Sequence, residues 1–155
     1  MEPHFYSVDV NWIEDRRGII NSTDFNPNKS SRIEVVTPPQ FPKGIPDLWS
    51  PEHLFTAAVS SCFMTTFLSI AENSKLSFTS FTCKSSGKLE QVEGKFIMSE
   101  VTLEPSIIIT DEKDIEKAER ILQKSEAACL ISNSIKSKIN LIPTVKVLEA
   151  GVLSA

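Results

Sequence analysis

One uncharged run decides most of what this chain can fold into: LFTAAVSSCFMTTFLSIA, from Leu54 to Ala71. Hydroxyls are scattered through it, at Thr56, Ser60, Ser61, Thr65, Thr66 and Ser69, and charged residues bound it. A membrane-spanning helix needs about 20 predominantly apolar residues. A run this rich in hydroxyls reads better as a helix apolar on much of its circumference, lying inside a globular domain. Its start is well marked. Ser50 is a good N-cap, Pro51 suits a position whose N–H has no helical partner, and Glu52 places negative charge in the first turn. The helix is expected over residues 51–73.

The segment before it, TPPQFPKGIPDLWSP (residues 37–51), holds five of the nine prolines. Proline fixes φ and removes a donor, so an extended loop is expected, long enough to carry function or to reach a second subunit. Ahead of the loop, FYSVDVNWI (residues 5–13) is aromatic and β-branched and reads as a strand. The polar turn EDRRG ends at Gly18, and IINST and RIEVVT read as two more short strands, giving a meander over residues 5–37. After the helix, SFTSFTCKSSGKLEQ and KFIMSEVTLEPSIIIT make a hairpin over 78–109 around Glu93-Gly94, with Pro105 marking an edge or a bulge. A helix over 111–128, capped by Thr110 or Asp111, aligns Ile115, Ala118, Leu122 and Ser125 on one face. A short helix and a strand over 132–148 close the chain. This order is an α+β pattern within a single domain, residues 1–155, and not an alternating βαβ one.

With 155 residues the chain is long enough for one domain with a substantial core. Its net charge of −4 argues against the basic stripe of a nucleic-acid binder. The N-terminus, MEPHFYSVDV, has neither the basic region nor the apolar core of a signal peptide. Three cysteines, Cys62, Cys83 and Cys129, make an odd set without C-x-x-C spacing, which suits a reducing cytosol. With only His4 and His53 to join them, zinc-ligand spacing is absent. The expectations are a cytoplasmic protein with no bound metal or cofactor and no nucleic-acid or membrane partner.

Cys62 and Cys129 each follow a small-residue patch, VSSC and EAAC, on the two long helices. Small residues let helices approach, and thiols can bond when their Cα atoms lie about 4.4–6.8 Å apart. The residues alone leave this pair open: buried cysteine is also ordinary core filler. Cys83, in a strand, reads as a packed thiol and His53 as structural or surface. Trp49, Phe55, Phe63 and Met64 either line an apolar pocket or pack the core.

SPEHLFTAAVSSCF resembles the helix-start motif of the OsmC/Ohr family (osmotically inducible protein C and organic hydroperoxide resistance proteins). That motif runs Ser/Asn-Pro-Glu-x-Leu and then Ala-x-x-Ser/Ala-Cys-Phe. ACLISNSIK resembles the family's second cysteine segment, Ala-x-Cys-Pro-Val/Tyr-Ser, and the element order agrees over roughly residues 8–147. Leu130 stands where many members have proline, which keeps a backbone donor. The resemblance implies an OsmC-like fold of antiparallel sheets around two long central helices, in an intertwined homodimer with active sites at the subunit interface. It implies a peroxidase that reduces organic hydroperoxides, and conceivably hydrogen peroxide. Cys62 would become a sulfenic acid, Cys129 would condense with it to a disulfide, and an external dithiol, small or lipoyl-type, would restore the thiols.

Chemistry of this kind makes a demand on Cys62. A free thiol ionises near pH 8.5, and lowering that to about 5.5 takes roughly 4 kcal/mol. The dipole of its own helix fades within the first turn, and Cys62 lies some eleven positions in, so the charge must come from a cation. By the resemblance this is an arginine of the EDRRG turn, Arg17 or Arg16, oriented by Glu52. Ten helical residues span about 15 Å, so Glu52 and Cys62 of one chain cannot flank a single arginine; a shared site calls for a second chain. The rival reading is a non-catalytic dimer on the same fold that binds a ligand or senses redox state.

Overall fold

The structure, a computed structural model, describes residues 1–29 and 31–149. It has two compact units, Met1–Leu54 and Phe55–Ala155.

The first unit is built on three antiparallel strands, β1 (Asp9–Glu14), β2 (Arg17–Asn21) and β3 (Ile33–Val36), in the order β1-β2-β3. The tight turn between β1 and β2 places Asp15 at φ 44, a left-handed conformation that aspartate tolerates better than most residues. Arg17 therefore begins a strand and does not lie in the turn. The proline-rich loop is not extended, as expected, but closed on itself. Ile45 N–H donates to the Thr37 carbonyl at 3.3 Å, and Val36 N–H to the Trp49 carbonyl at 3.0 Å. Gly44 makes this closure possible: a Cβ there would sit 2.0 Å from the Pro38 carbonyl oxygen.

Helix α1 (Pro51–Asn73) begins at the predicted cap, where Ser50 Oγ accepts the His53 N–H at 3.2 Å. It ends as helices do when a left-handed residue closes them. Lys75, at φ 55, lets Leu76 N–H reach back to the Ala71 carbonyl at 2.9 Å.

In the second unit, the long hairpin β4 (Phe78–Val92) and β5 (Lys95–Ile109) carries β6 (Lys138–Leu141) and β7 (Thr144–Val147) on the far side of β5, both parallel to it. The sheet is thus mixed and not purely antiparallel. Pro105 neither ends nor bulges β5. It faces Cys83 in register, between the stretch that pairs β6 and the stretch that pairs β7, so the donor it lacks has no ladder partner on that side to lose. Helix α2 (Ile115–Ala128) follows a 3-10 turn at Glu112–Asp114, where Asp111 accepts the Lys113 N–H at 3.0 Å. Helix α3 (Leu130–Asn133) comes one residue later.

The core joins three faces: Val59, Phe63, Phe67 and Ala71 of α1, the inward row Val101, Leu103, Ile107 and Ile109 of β5, and Ala118, Ile121 and Leu122 of α2. Phe67 stacks on Phe81 with ring centroids 4.9 Å apart and meets Phe78 edge-on at 5.3 Å. The expectation that α1 lies inside the domain holds for one face of it. Only this one face is buried; Met64 and Leu68 on the opposite side are 37% and 40% exposed. By length and composition α1 is apolar enough to cross a membrane, but its buried face is the centre of the unit's core.

Phe67→Ala removes the ring shared by both aromatic contacts and should cost about 3–5 kcal/mol of unfolding free energy. Urea denaturation followed by circular dichroism tests this; a loss below about 1 kcal/mol would contradict the assigned core.

Candidate active site

Cys62 lies midway along α1, next to the buried Phe63, and its own side chain is half-buried. Cys129 is fully buried and occupies the single residue between two helices, closing α2 and capping α3. Its backbone, φ −65 and ψ 113, breaks the helical path and redirects the chain. Asn133 holds the break from the far side, its Nδ2 donating to the Ala127 carbonyl at 3.1 Å. Both cysteines carry free thiols and are hydrogen-bonded to each other.

The break leaves the first-turn N–H groups of α3 without helical acceptors. Two of them, from Ile131 and Leu130, face the Cys62 sulfur. Burial pushes the Cys62 thiol up, but the Ile131 N–H, the Cys129 thiol, the Thr66 hydroxyl and the Leu130 N–H outweigh it. The net result is a thiol that ionises below its ordinary range. These donors are neutral, and the backbone of another helix supplies two of them.

Cys129 goes the other way. Burial, above all, raises it; the Ser132 hydroxyl and N–H lower it in part, and the nearby Cys62 raises it further. Cys83, half-buried in β4 beside Ser85 Oγ at 3.5 Å, is also raised by burial. Of the three thiols, Cys62 alone is lowered.

Three further predicted residues, Arg17, Arg16 and Glu52, belong to the first unit. Arg17 is half-buried in the first unit, ion-paired to Glu14 at 2.6 Å and, more tightly, to Glu34; both carboxylates raise its already high pKa. Arg16 sits exposed in the β1–β2 turn, with no hydrogen bond or ion pair among the described residues. Glu52 occupies the first turn of α1. His53 is bound up in the helix cap, with Nδ1 2.7 Å from Ser50 Oγ, and its ring meets Trp49 edge-on. Phe63 and Phe55 pack the core, whereas Trp49 and Met64 are exposed. Among the described residues, no three His, Cys, Asp or Glu side chains come together as a metal-ligand set.

Three contributors escaped the sequence reading, Thr66, the Ile131 N–H and Ser132, and the Leu130 donor it noted was given no partner. Thr66 was within reach of it, because positions i and i+4 share a helix face.

Leu130→Pro tests the backbone donors directly. Proline suits the first helical position, and the extended backbone of Cys129 suits the residue before a proline, so the change deletes one N–H with little else. Because Cys62 is depressed in the fold, its ionisation midpoint should move up in this variant and stay put in Leu130→Ala. The pH dependence of iodoacetamide labelling at Cys62 reads this; equal midpoints in all three proteins would refute the assignment.

A comparison with known proteins agrees with this architecture. The family model described as OsmC-like protein matches residues 44–143. The Bacillus subtilis protein YmaD is 23% identical over 146 residues, covering 91% of this chain and 93% of its own length. Two solved structures share the fold. An OsmC-like protein of unknown function from Vibrio cholerae superposes with a TM-score of 0.80 at 23% identity, covering 91% of this chain and 99% of that one. An organic hydroperoxide resistance protein from Elizabethkingia anophelis gives a TM-score of 0.73 at 24% identity, covering 95% and 99%. With its family match spanning most of the chain and the same α+β fold in these structures, the protein belongs to the OsmC-like family.

Proposed function

We propose that the protein is a dithiol-dependent hydroperoxide reductase of the cytoplasm. One observation carries this reading: a half-buried thiol lowered by neutral donors lies against a fully buried thiol that is raised. The low thiol is the nucleophile that peroxide chemistry needs, since the thiolate and not the thiol attacks. The high one stays protonated until it is called on.

In the proposed cycle the Cys62 thiolate attacks the distal oxygen of a hydroperoxide. The O–O bond breaks, the leaving alkoxide takes a proton and departs as an alcohol, and Cys62 holds a sulfenic acid. The Cys129 sulfur then attacks the Cys62 sulfur, water leaves, and a Cys62–Cys129 disulfide forms. An external dithiol, small or lipoyl-type, returns both sulfurs to thiols.

Arg17 is our choice over Arg16 for the guanidinium that assists at the peroxide, because Glu14 and Glu34 hold it in place. Glu52 is assigned to orient that arginine. The working form is proposed to be a homodimer with sites at the subunit interface. The exposed apolar side of α1, with Met64 and Leu68, supports this, as do Val10, Trp12 and Phe96, each more than half exposed.

A Cys129→Ser variant given excess cumene hydroperoxide should trap the sulfenic acid as a dimedone adduct on Cys62, found by peptide mass spectrometry. An unlabelled Cys62 would sink the peroxidase reading. Steady-state peroxide consumption with dihydrolipoamide should vanish in Cys62→Ser and fall roughly a hundredfold in Arg17→Ala. A Cys62→Ser protein that kept its activity would instead favour a ligand-binding or sensing role.

A further inference from the structure

The two sulfurs differ in access as well as acidity, and the difference bears on how the disulfide is opened again. Cys62 is half-buried, whereas Cys129 is fully buried. Behind Cys129 lies a group that the cycle above leaves unused. Ser132 is only 8% exposed, and its Oγ, shut off from solvent, has no conventional hydrogen-bond partner. Buried hydroxyls in folded proteins are nearly always paired, so an exception asks for a reason.

Its position supplies one. Cys129 is the N-cap of α3, and Ser132 is the third residue of that helix. At such a start the cap side chain ordinarily accepts the N–H of the third residue, whose own side chain turns back toward the cap. Here the cap atom is a sulfur. As a thiol it makes no cap hydrogen bond. As a thiolate it is a far better acceptor, and both the hydroxyl and the N–H of Ser132 then stabilise it.

We propose that Ser132 is a positioning residue for the reductive half of the cycle: the dithiol attacks the accessible Cys62 sulfur, and Ser132 receives the Cys129 thiolate as it leaves. The inference rests on the Cys62–Cys129 disulfide proposed above. In this step a thiolate of the reductant gives its electron pair to the Cys62 sulfur, and the S–S bond breaks with its pair on Cys129, which then takes up a proton. The reductant's second thiolate attacks its own sulfur in the mixed disulfide and releases the Cys62 thiolate. Two electrons have passed from the dithiol to the protein. Acidity alone would favour the opposite direction, because Cys62 is the better leaving group. Burial of Cys129 bars that approach, and Ser132 makes the accessible route workable.

The test separates this step from peroxide chemistry by forming the disulfide with diamide. Single-turnover reduction by dihydrolipoamide is then followed in the unmodified protein, Ser132→Ala and Ser132→Thr. The alanine variant should be about tenfold slower and the threonine variant close to the unmodified protein. Iodoacetamide labelling of reduced Cys62 should be unchanged in both; a merely structural role would slow labelling and reduction together. In the unmodified protein, 2-mercaptoethanol followed by an acid quench should leave its adduct on Cys62, a measurement that does not depend on a variant folding. An adduct on Cys129, or an alanine variant reduced at the normal rate, would overturn the assignment. If peroxide fails to oxidise Cys62 while these results hold, the reductase reading falls and the role of Ser132 stands. If diamide cannot join the two cysteines, both fall.

Discussion

The site depends on a change of direction in the backbone at Cys129. An α-helix uses its own N–H groups internally except at its first turn, so a side chain in the middle of α1 finds no free backbone donor on that helix. By ending α2 and starting α3 at one residue, the chain produces a fresh set of unsatisfied N–H groups beside Cys62. The donors are divided between the two sulfurs. Leu130 and Ile131 face Cys62, and Ser132 faces Cys129. Because these donors belong to the backbone, their identity survives substitution of most side chains, and only proline removes one.

That division of donors requires α1 and the α2–α3 break to be held at a fixed separation, which is the task of the core. Cys62 is followed at once by Phe63, buried among the core residues, and Cys129 lies four residues after Ser125, which is fully buried and donates to the Ile121 carbonyl at 2.6 Å. Cys62 is thus tied to a core side chain, and Cys129 to a helix whose buried face joins the same core. Packed interiors respond to the loss of even a methylene group, so changes at Phe63 or Leu122 should reach the chemistry through geometry before they reach it through stability.

Much of this was legible in the sequence, for identifiable reasons. The bounds of α1 follow from Ser50, Pro51 and Glu52 at one end and from the return of charge at the other. The hairpin turn at Glu93-Gly94 shows in the glycine, which takes φ 78. The pairing of Cys62 with Cys129 came from resemblance; periodicity could place each thiol on a helix but not one helix beside the other. Two things were misjudged and one was missed. The proline-rich loop was read as extended because proline removes local donors, yet Thr37 and Trp49 supply the carbonyls that close it. Pro105 was read as an interruption because its neighbours β6 and β7 lie far along the chain, and only they show that its missing donor is harmless. The neutral donors at Cys62 went unforeseen because the helix break that exposes them spans a single residue, too short for any pattern to mark.

The last of these changes what an arginine has to do in the proposed reaction. If Cys62 needed a guanidinium merely to ionise, Arg17 would have to sit against the sulfur at rest, and its two carboxylate partners would weaken its effect there. Neutral donors already lower the thiol, and a further need for charge arises later. As the O–O bond breaks, negative charge grows on the departing oxygen, where a preorganised cation gains more in the transition state than in the ground state. Glu14 and Glu34 then serve to hold the guanidinium in place and do not merely cancel it. On this reading the two halves of the chemistry are supplied by different physics, fixed backbone dipoles for the nucleophile and a charged side chain for the leaving group.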